Sequence, residues 1–105
     1  MSGGGGGTST GWGEGPAGDP CNMNFPTQLG NPSPAAIAAV HEGLELRIEL
    51  NEAGPSINAM NGDQRVGSIV DRVPALLRCI REGNEYLAVV DRVVGGQVEV
   101  TVRNI

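Results

Sequence analysis

The last forty residues of the chain, from Gln64 to Arg103, constrain its fold more than any other stretch. They predict a strand, a helix and then two strands joined by a tight turn. Pro74 suits the first turn of a helix, and Gly83 suits a helix end. Gly95-Gly96 lies between two valine-rich runs and is typical of a two-residue hairpin turn. This order of elements predicts a compact unit built mainly from β-structure.

The Gly95-Gly96 turn also predicts how the last two strands pair. Counting outward from the turn gives four facing pairs, which are Val93–Val98, Arg92–Glu99, Val90–Thr101 and Val89–Val102. The Arg92–Glu99 pair is a favourable cross-strand charge match. The same count places Asp91 on the apolar face of the hairpin, where an unpaired carboxylate would be costly.

The clearest single strand lies earlier, from Leu44 to Leu50. Its apolar residues alternate with charged ones, which is typical of a strand with one face in a core and one in water. A shorter apolar alternation from Cys21 to Phe25 predicts a first strand. Ser33-Pro34 predicts the start of a helix, which continues through Ala35 to Val40 and is stopped by Gly43. About six strands and two short helices predict a mostly β (α+β) fold, either a small antiparallel β-barrel or a curved sheet.

The first twenty residues differ sharply in composition, because residues 1–20 contain nine of the seventeen glycines. Such a segment cannot bury enough apolar surface to offset its ordering entropy, so a disordered Gly-rich arm is expected. The domain organisation predicted is therefore an arm over 1–20 and a single small domain over 21–105. The arm is either a solvated tail or a tether whose Trp12 docks on a partner.

Charge and aromatic content limit the classes of ligand. The net charge is −5, all seven cations are arginines, and only 3% of residues are aromatic. Net negative charge disfavours nucleic acid, although a local arginine stripe could still bind phosphates. Arg72, Arg78 and Arg81 on the second helix are the candidates for such a stripe. The alternative is a solvated helix face that Glu82 and Glu85 balance.

The chain contains no apolar run near 18 residues, and its start lacks the charged and apolar regions of a signal peptide. A cytoplasmic protein that does not enter a membrane is therefore expected. Cys21 and Cys79 are expected to be free thiols, because disulfides are rare in the cytosol. Both are expected to be small buried hydrophobic residues.

Residues typical of catalysis are scarce. His41 is the only histidine, and its distance along the chain from Cys21 and Cys79 matches no zinc-site spacing. Cys79 with His41 is a conceivable nucleophile and base, but a thiol buried on an apolar helix face is inert. The run from Gly3 to Gly7 has no strand before it and no helix after it, so it is no phosphate loop. We expect no catalytic, cofactor or metal site and no enzyme activity.

From Leu44 onward, the order of elements resembles a HIRAN-type small β-barrel. The matching segments are Leu44–Leu50, Arg65–Ile69, Leu76–Gly83 and the final hairpin, and together they cover about sixty residues. The resemblance implies a stand-alone binding module. It also implies an association with DNA ends, since that is the association of the family.

Two functions are therefore expected from the sequence. The first is a non-enzymatic interaction or adaptor module, an accessory subunit that binds a protein partner or a second copy of itself. It would use a sheet edge, a groove of the barrel or the N-terminal arm. The alternative is a HIRAN-like binder of nucleic-acid ends or single strands.

Overall fold

A computed structural model describes residues 19–105, which form six strands and two helices. The strands are β1 Asn24–Gln28, β2 Glu45–Asn51, β3 Ser56–Asn61, β4 Gln64–Ser68, β5 Tyr86–Val94 and β6 Gln97–Asn104; the helices are α1 Pro34–Ile37 and α2 Val73–Arg81. The mostly β fold class predicted from the sequence is confirmed. Most of the predicted arm, including Trp12, lies outside the described residues.

All six strands belong to one antiparallel sheet with the order β1-β6-β5-β2-β3-β4. The sheet is so strongly curved that its two ends meet. Gly30, just beyond β1, exchanges both backbone hydrogen bonds with Ser68 of β4, at N–O distances of 2.8 and 2.9 Å. Ser33 donates a further backbone hydrogen bond to Val66 at 2.8 Å. The loop that follows β1 thus occupies Val66 O and both outer backbone groups of Ser68 on β4.

The core inside the curved sheet is aliphatic. β6 presents Val98, Val100 and Val102 to it, all fully buried. The interior also includes the two aromatic residues of the described chain, Phe25 and Tyr86, which are 4% and 1% exposed. Burial of large apolar side chains is the main force that holds such a sheet closed.

The β5–β6 hairpin follows the predicted register only near its turn. Val93–Val98 and Arg92–Glu99 pair as predicted, with an Arg92–Glu99 ion pair at 3.1 Å. Further out the register shifts by one residue, so Val90 faces Val100 and Val89 faces Thr101. Asp91 is the additional residue of a β-bulge, which reverses the faces that follow it. As a result Asp91 is exposed and Val90 is buried, and the predicted acid on the apolar face does not occur.

The two helices begin where the sequence predicts, and α1 ends early. Ser33 and Arg72 are the N-cap residues, and each is followed by a proline within the first helical turn. α1 ends at Ile37, because Ala39 and Val40 turn back through bonds to residues three positions earlier. Such bonds form a tighter turn than the α-helix. Neither helix of residues 19–105 is long and apolar enough to cross a membrane.

Cys21 and Cys79 form a disulfide, so the prediction of free thiols is wrong. Their Cα atoms are 5.5 Å apart, although 58 positions separate them in the sequence. Both residues are buried as expected, Cys21 with 4% exposure and Cys79 with none. The prediction failed because both residues are buried on the same side of the core, where folding brings their sulfur atoms together. The spacing of the cysteines in the sequence does not reveal that proximity. The bond joins the segment before β1 to helix α2.

Candidate functional site

The three predicted arginines have different surroundings. Arg72 has a positive φ of 55° and lies at the N-terminus of α2. Its guanidinium stacks on the buried ring of Phe25, with the central carbon 5.0 Å from the ring centroid. This is a cation–π contact, which stabilises the helix entry. Arg72 is therefore held against the protein surface.

Arg81 is also engaged. Its Nε and Nη2 donate hydrogen bonds to the two carboxylate oxygens of Glu52, at 3.2 and 2.8 Å. Hydrogen bonding to Arg81, together with its positive charge, lowers the pKa of the Glu52 carboxyl group, and the same contact raises the pKa of Arg81. Arg78 is exposed and forms no ion pair with any residue of 19–105. The structure thus places Arg78 and Arg81 one helical turn apart, while Arg72 precedes the helix.

A polar groove lies on the outer face of β2, β3 and β4. Its volume is about 380 Å³, and its lining residues are Glu49, Leu50, Asn51, Glu52, Asn58, Met60 and Arg65. The outward position of Asn58 and Met60 follows from strand alternation, because Ile57 and Ala59, which alternate with them along β3, are buried. Cross-strand pairing then brings Glu49 opposite Asn58 and Arg65 opposite Met60. We call this site the β2–β4 groove.

Arg65 is the most constrained charged side chain of the β2–β4 groove. Its Nε donates to Asn58 Oδ1 at 3.3 Å, and its Nη2 donates to Asn31 O at 3.0 Å and to Ser68 Oγ at 2.8 Å. The Ser68 hydroxyl donates in turn to Asn58 Oδ1 at 3.1 Å. These acceptors are all neutral, and Arg65 is half-buried. The guanidinium is held in one orientation, yet no carboxylate of residues 19–105 pairs with it.

The carboxylates that line the groove already have cationic partners. Glu49 accepts hydrogen bonds from Nε and Nη2 of Arg47, the former at 3.1 Å. Glu52 is paired with Arg81. Glu49 and Glu52 are thus paired with arginines beside the groove, whereas Arg65, the cation that lines the β2–β4 groove, has no carboxylate partner among residues 19–105.

No spacing in the sequence singles out Arg65, because its partners come from three separate segments. Asn58 lies on β3, Ser68 at the end of β4, and Asn31 in the loop beyond β1. The only local indication is the turn at Gly62-Asp63, which returns β4 beside β3 and so brings Arg65 near Asn58. The Asn31 contact requires the curved sheet to be closed.

Catalytic groups do not come together in the described chain. The sulfur of Cys79 is bonded to Cys21, so it has no thiol to serve as a nucleophile. His41 is exposed, and its Nδ1 lies 3.0 Å from the backbone oxygen of Glu42. Within residues 19–105, no cluster of three or more histidine, cysteine, aspartate or glutamate side chains has the arrangement of a metal site.

Comparison of the chain with protein families, with curated proteins and with solved structures found no match.

Proposed function

We propose that this chain is a non-enzymatic binding module that takes an acidic segment of a protein partner into the β2–β4 groove. The observation that supports this proposal is the state of Arg65. Its guanidinium is half-buried, oriented by three neutral acceptors, and unpaired with any carboxylate of residues 19–105. A partner carboxylate would supply the missing negative charge.

The binding energy would come from a charge-assisted hydrogen bond in a partly dry site. Nη1 of Arg65 has no partner among the described residues, so it remains available to a carboxylate oxygen. Hydrogen bonds between ionised groups are about twice as strong as neutral ones, and partial burial reduces their screening by water. The side-chain amides of Asn51 and Asn58 add neutral hydrogen-bonding groups along the same groove, which suit a peptide backbone.

Binding through a sheet edge is less well supported than binding in the groove. On the outer edge of β4, Val66 O accepts a hydrogen bond from Ser33 N, and both outer backbone groups of Ser68 are bonded to Gly30. On β1, two backbone bonds, Leu29 N to Val98 O and Asn104 N to Met23 O, show that the backbone N–H and C=O groups of odd-numbered residues point towards β6. Pro26 therefore faces outward on that edge, and it has no N–H to donate. Neither edge offers an uninterrupted row of donors and acceptors.

The experiment compares wild-type protein with Arg65→Gln for binding of fluorescent peptides, one rich in Asp and Glu and one uncharged. We expect the acidic peptide to bind and the Arg65→Gln variant to lose about tenfold or more in affinity, because a charged hydrogen bond contributes about 1.5–3 kcal/mol. Arg65→Lys keeps the charge but not the planar fork, so an intermediate loss is expected.

The matched control is Arg92→Gln, which removes an exposed, ion-paired arginine from the β5–β6 hairpin, outside the β2–β4 groove. It should bind the acidic peptide as the wild type does. Thermal unfolding of each variant checks that Arg65→Gln still folds, since Arg65 also contacts Asn31. Equal losses in both glutamine variants, or preference for the uncharged peptide, would contradict the proposal.

Binding of nucleic-acid ends or single strands is the second candidate function, and the exposed, unpaired Arg78 is the observation that favours it. Two observations weigh against it. Phe25 and Tyr86 are both buried, so residues 19–105 present no exposed phenylalanine, tyrosine or tryptophan ring on which a base could stack. A single unpaired arginine at the groove also suits one carboxylate better than a chain of phosphates. Titration with oligonucleotides at low salt, with wild type and with Arg78→Glu/Arg81→Glu, tests this alternative.

The cytoplasmic location expected from the sequence stays a prediction, and the disulfide sets a condition on it. Disulfides persist in oxidising compartments, whereas cytosolic thiol systems reduce them. In the cytoplasm, the Cys21–Cys79 bond would be exposed to cellular dithiols. Alkylation of free thiols in intact cells, followed by mass spectrometry, reports the state of both cysteines.

A further inference from the structure

Helix α2 is attached to the rest of the domain by side chains. Within residues 19–105, its backbone hydrogen bonds stay inside the helix and its caps, and none reaches a strand. At its N-terminal end, Thr27 donates to Asp71, Arg72 stacks on Phe25, and Leu76 is fully buried. These contacts do not involve the disulfide.

The C-terminal half of α2 is attached differently. It is connected by the disulfide from Cys79 to Cys21, by the ion pair from Arg81 to Glu52, and by Leu77 and Ile80, which are partly buried against the core. The disulfide and the ion pair lie two residues apart on the helix, so one element transmits any movement between them. Glu52 also lines the β2–β4 groove. Helix α2 thus connects the disulfide at Cys79 to the ion pair that neutralises Glu52 in the groove.

We propose that the Cys21–Cys79 disulfide is a redox-dependent latch, whose reduction releases the C-terminal half of α2 and separates Arg81 from Glu52. The carboxylate of Glu52 would then face the β2–β4 groove without its partner, and an anionic ligand would bind more weakly. The effect on ligand binding rests on the proposed function, whereas the release of the helix does not.

The reduction requires a dithiol as electron donor. One of its thiolates attacks Cys21 Sγ, because Cys21 retains slight exposure and Cys79 has none. The S–S bond breaks, Cys79 leaves as a thiolate and takes up a proton, and a mixed disulfide with Cys21 remains. The second thiol of the donor then closes the donor's own disulfide and releases Cys21, which is also protonated. The protein gains two electrons and two protons in total.

Packing supplies the reason for release. Sulfur atoms that share a covalent bond lie closer than van der Waals contact allows, so two thiols need more room than one disulfide. Cys79 is fully buried in the core. Protein cores are generally so closely packed that extra volume shifts the neighbouring groups. The C-terminal half of α2 can shift, since it has no backbone bond to the sheet; residues 19–22 share this property, but only the helix carries Arg81.

Hydrogen exchange on the full chain, monitored by mass spectrometry, tests the latch with dithiothreitol as the reductant. We expect amides of residues 77–84 to lose protection on reduction, while amides of β5 and β6 keep theirs. Intact mass, which rises by two hydrogens, verifies that the bond was reduced. Unchanged protection of residues 77–84 in fully reduced protein would overturn the proposal, and so would loss of protection throughout β5 and β6.

A Cys21→Ala/Cys79→Ala variant provides a second measurement. It should show the exchange pattern of the reduced wild type and should not respond to dithiothreitol. If this variant is unfolded, the sheet depends on the bond and the proposal is wrong.

Peptide binding separates the two proposals. Reduction should weaken binding of the acidic peptide about two- to fivefold, as expected for loss of one exposed ion pair beside the ligand. If the oxidised protein binds no acidic peptide, the proposed function fails while the exchange result stands. If α2 opens and the affinity is unchanged, the link from the latch to the groove is overturned.

Discussion

Arg81 on α2 and Glu52, which follows β2, are 29 residues apart in the chain and are joined by two nearly parallel hydrogen bonds of 3.2 and 2.8 Å. Each nitrogen of the guanidinium edge contacts its own carboxylate oxygen, which is the geometry that arginine favours. The pair is exposed, so water and salt screen it, and its contribution to stability is small. The pair can be followed experimentally because it lowers the pKa of Glu52.

Replacing Arg81 with glutamine should raise the pKa of Glu52 towards the usual glutamate range. The hydrogen bond to Arg81 lowers the pKa in the folded protein, so the carboxylate stabilises the fold above the unfolded-state pKa. That stabilisation is lost as the pH falls through the folded-state pKa. Carbon NMR titration of the Glu52 carboxyl group measures the change. Arg92→Gln is the control, and an equal pKa in wild type and Arg81→Gln would contradict the structure.

Tyr86 should titrate at unusually high pH. Burial raises the pKa of its hydroxyl group, and the negative charges of Asp19 and Glu82 raise it further. The hydroxyl also donates a buried hydrogen bond to the backbone oxygen of Cys21. In the unfolded chain the hydroxyl group ionises at about pH 10, so its full contribution to stability is present below that pH. The contribution disappears as the pH rises through the folded-state pKa.

The measurement is simple because Tyr86 is the only tyrosine of the chain. The ultraviolet absorbance of tyrosinate should appear at higher pH in native protein than in protein unfolded by urea. Tyr86→Phe should remove the part of the alkaline pH dependence of stability that comes from this hydroxyl group. It should also lower the free energy of unfolding at neutral pH by about 0.5–1.5 kcal/mol through the lost hydrogen bond. Identical titrations of native and unfolded protein would show that Tyr86 is accessible to water.

Two glycines at the closure of the sheet should respond differently to alanine. A Cβ at Gly67 would lie 2.9 Å from Leu29 Cβ and 3.2 Å from Gly30 O, and neither atom is free to move. We expect Gly67→Ala to lower the free energy of unfolding by about 1–3 kcal/mol, as overpacking does. Urea unfolding curves measure the difference.

Gly30→Ala is the matched comparison. Its Cβ would meet Val70 Cγ1 at 2.5 Å, but the Val70 side chain is 59% exposed and can rotate into water. The loss should stay within about 1 kcal/mol, since a rotamer change costs little and alanine restricts the unfolded chain. A larger loss at Gly30 than at Gly67 would show that the contact between β4 and Leu29 is looser than the structure indicates.

The sequence predicts the elements whose signals are local. The alternation over Leu44–Leu50 appears as β2, Pro74 lies in the first turn of α2, and Gly95-Gly96 joins β5 to β6. Each of these depends on neighbours within a few residues, where backbone preferences decide the outcome. A strand, a helix start and a hairpin turn therefore follow from short windows of sequence.

The features that were missed depend on contacts between distant segments. A regular register counted from the turn would place the carboxylate of Asp91 on the buried face, and the bulge at Asp91 avoids this. The disulfide needs two thiols that are 58 positions apart to meet in the core. Arg65 becomes notable only when the loop at Asn31 closes against β4. A short window contains none of these distances.

The bridge from Gly30 to Ser68 has a consequence for behaviour at high concentration. Sheet proteins aggregate when an open border recruits the border of another molecule, and fibrils grow by the same route. Here the loop after β1 pairs with the β4 edge at Ser68, and Pro26 interrupts the row of donors on the β1 edge. The native state should therefore resist fibril growth, and any self-association should proceed through side chains.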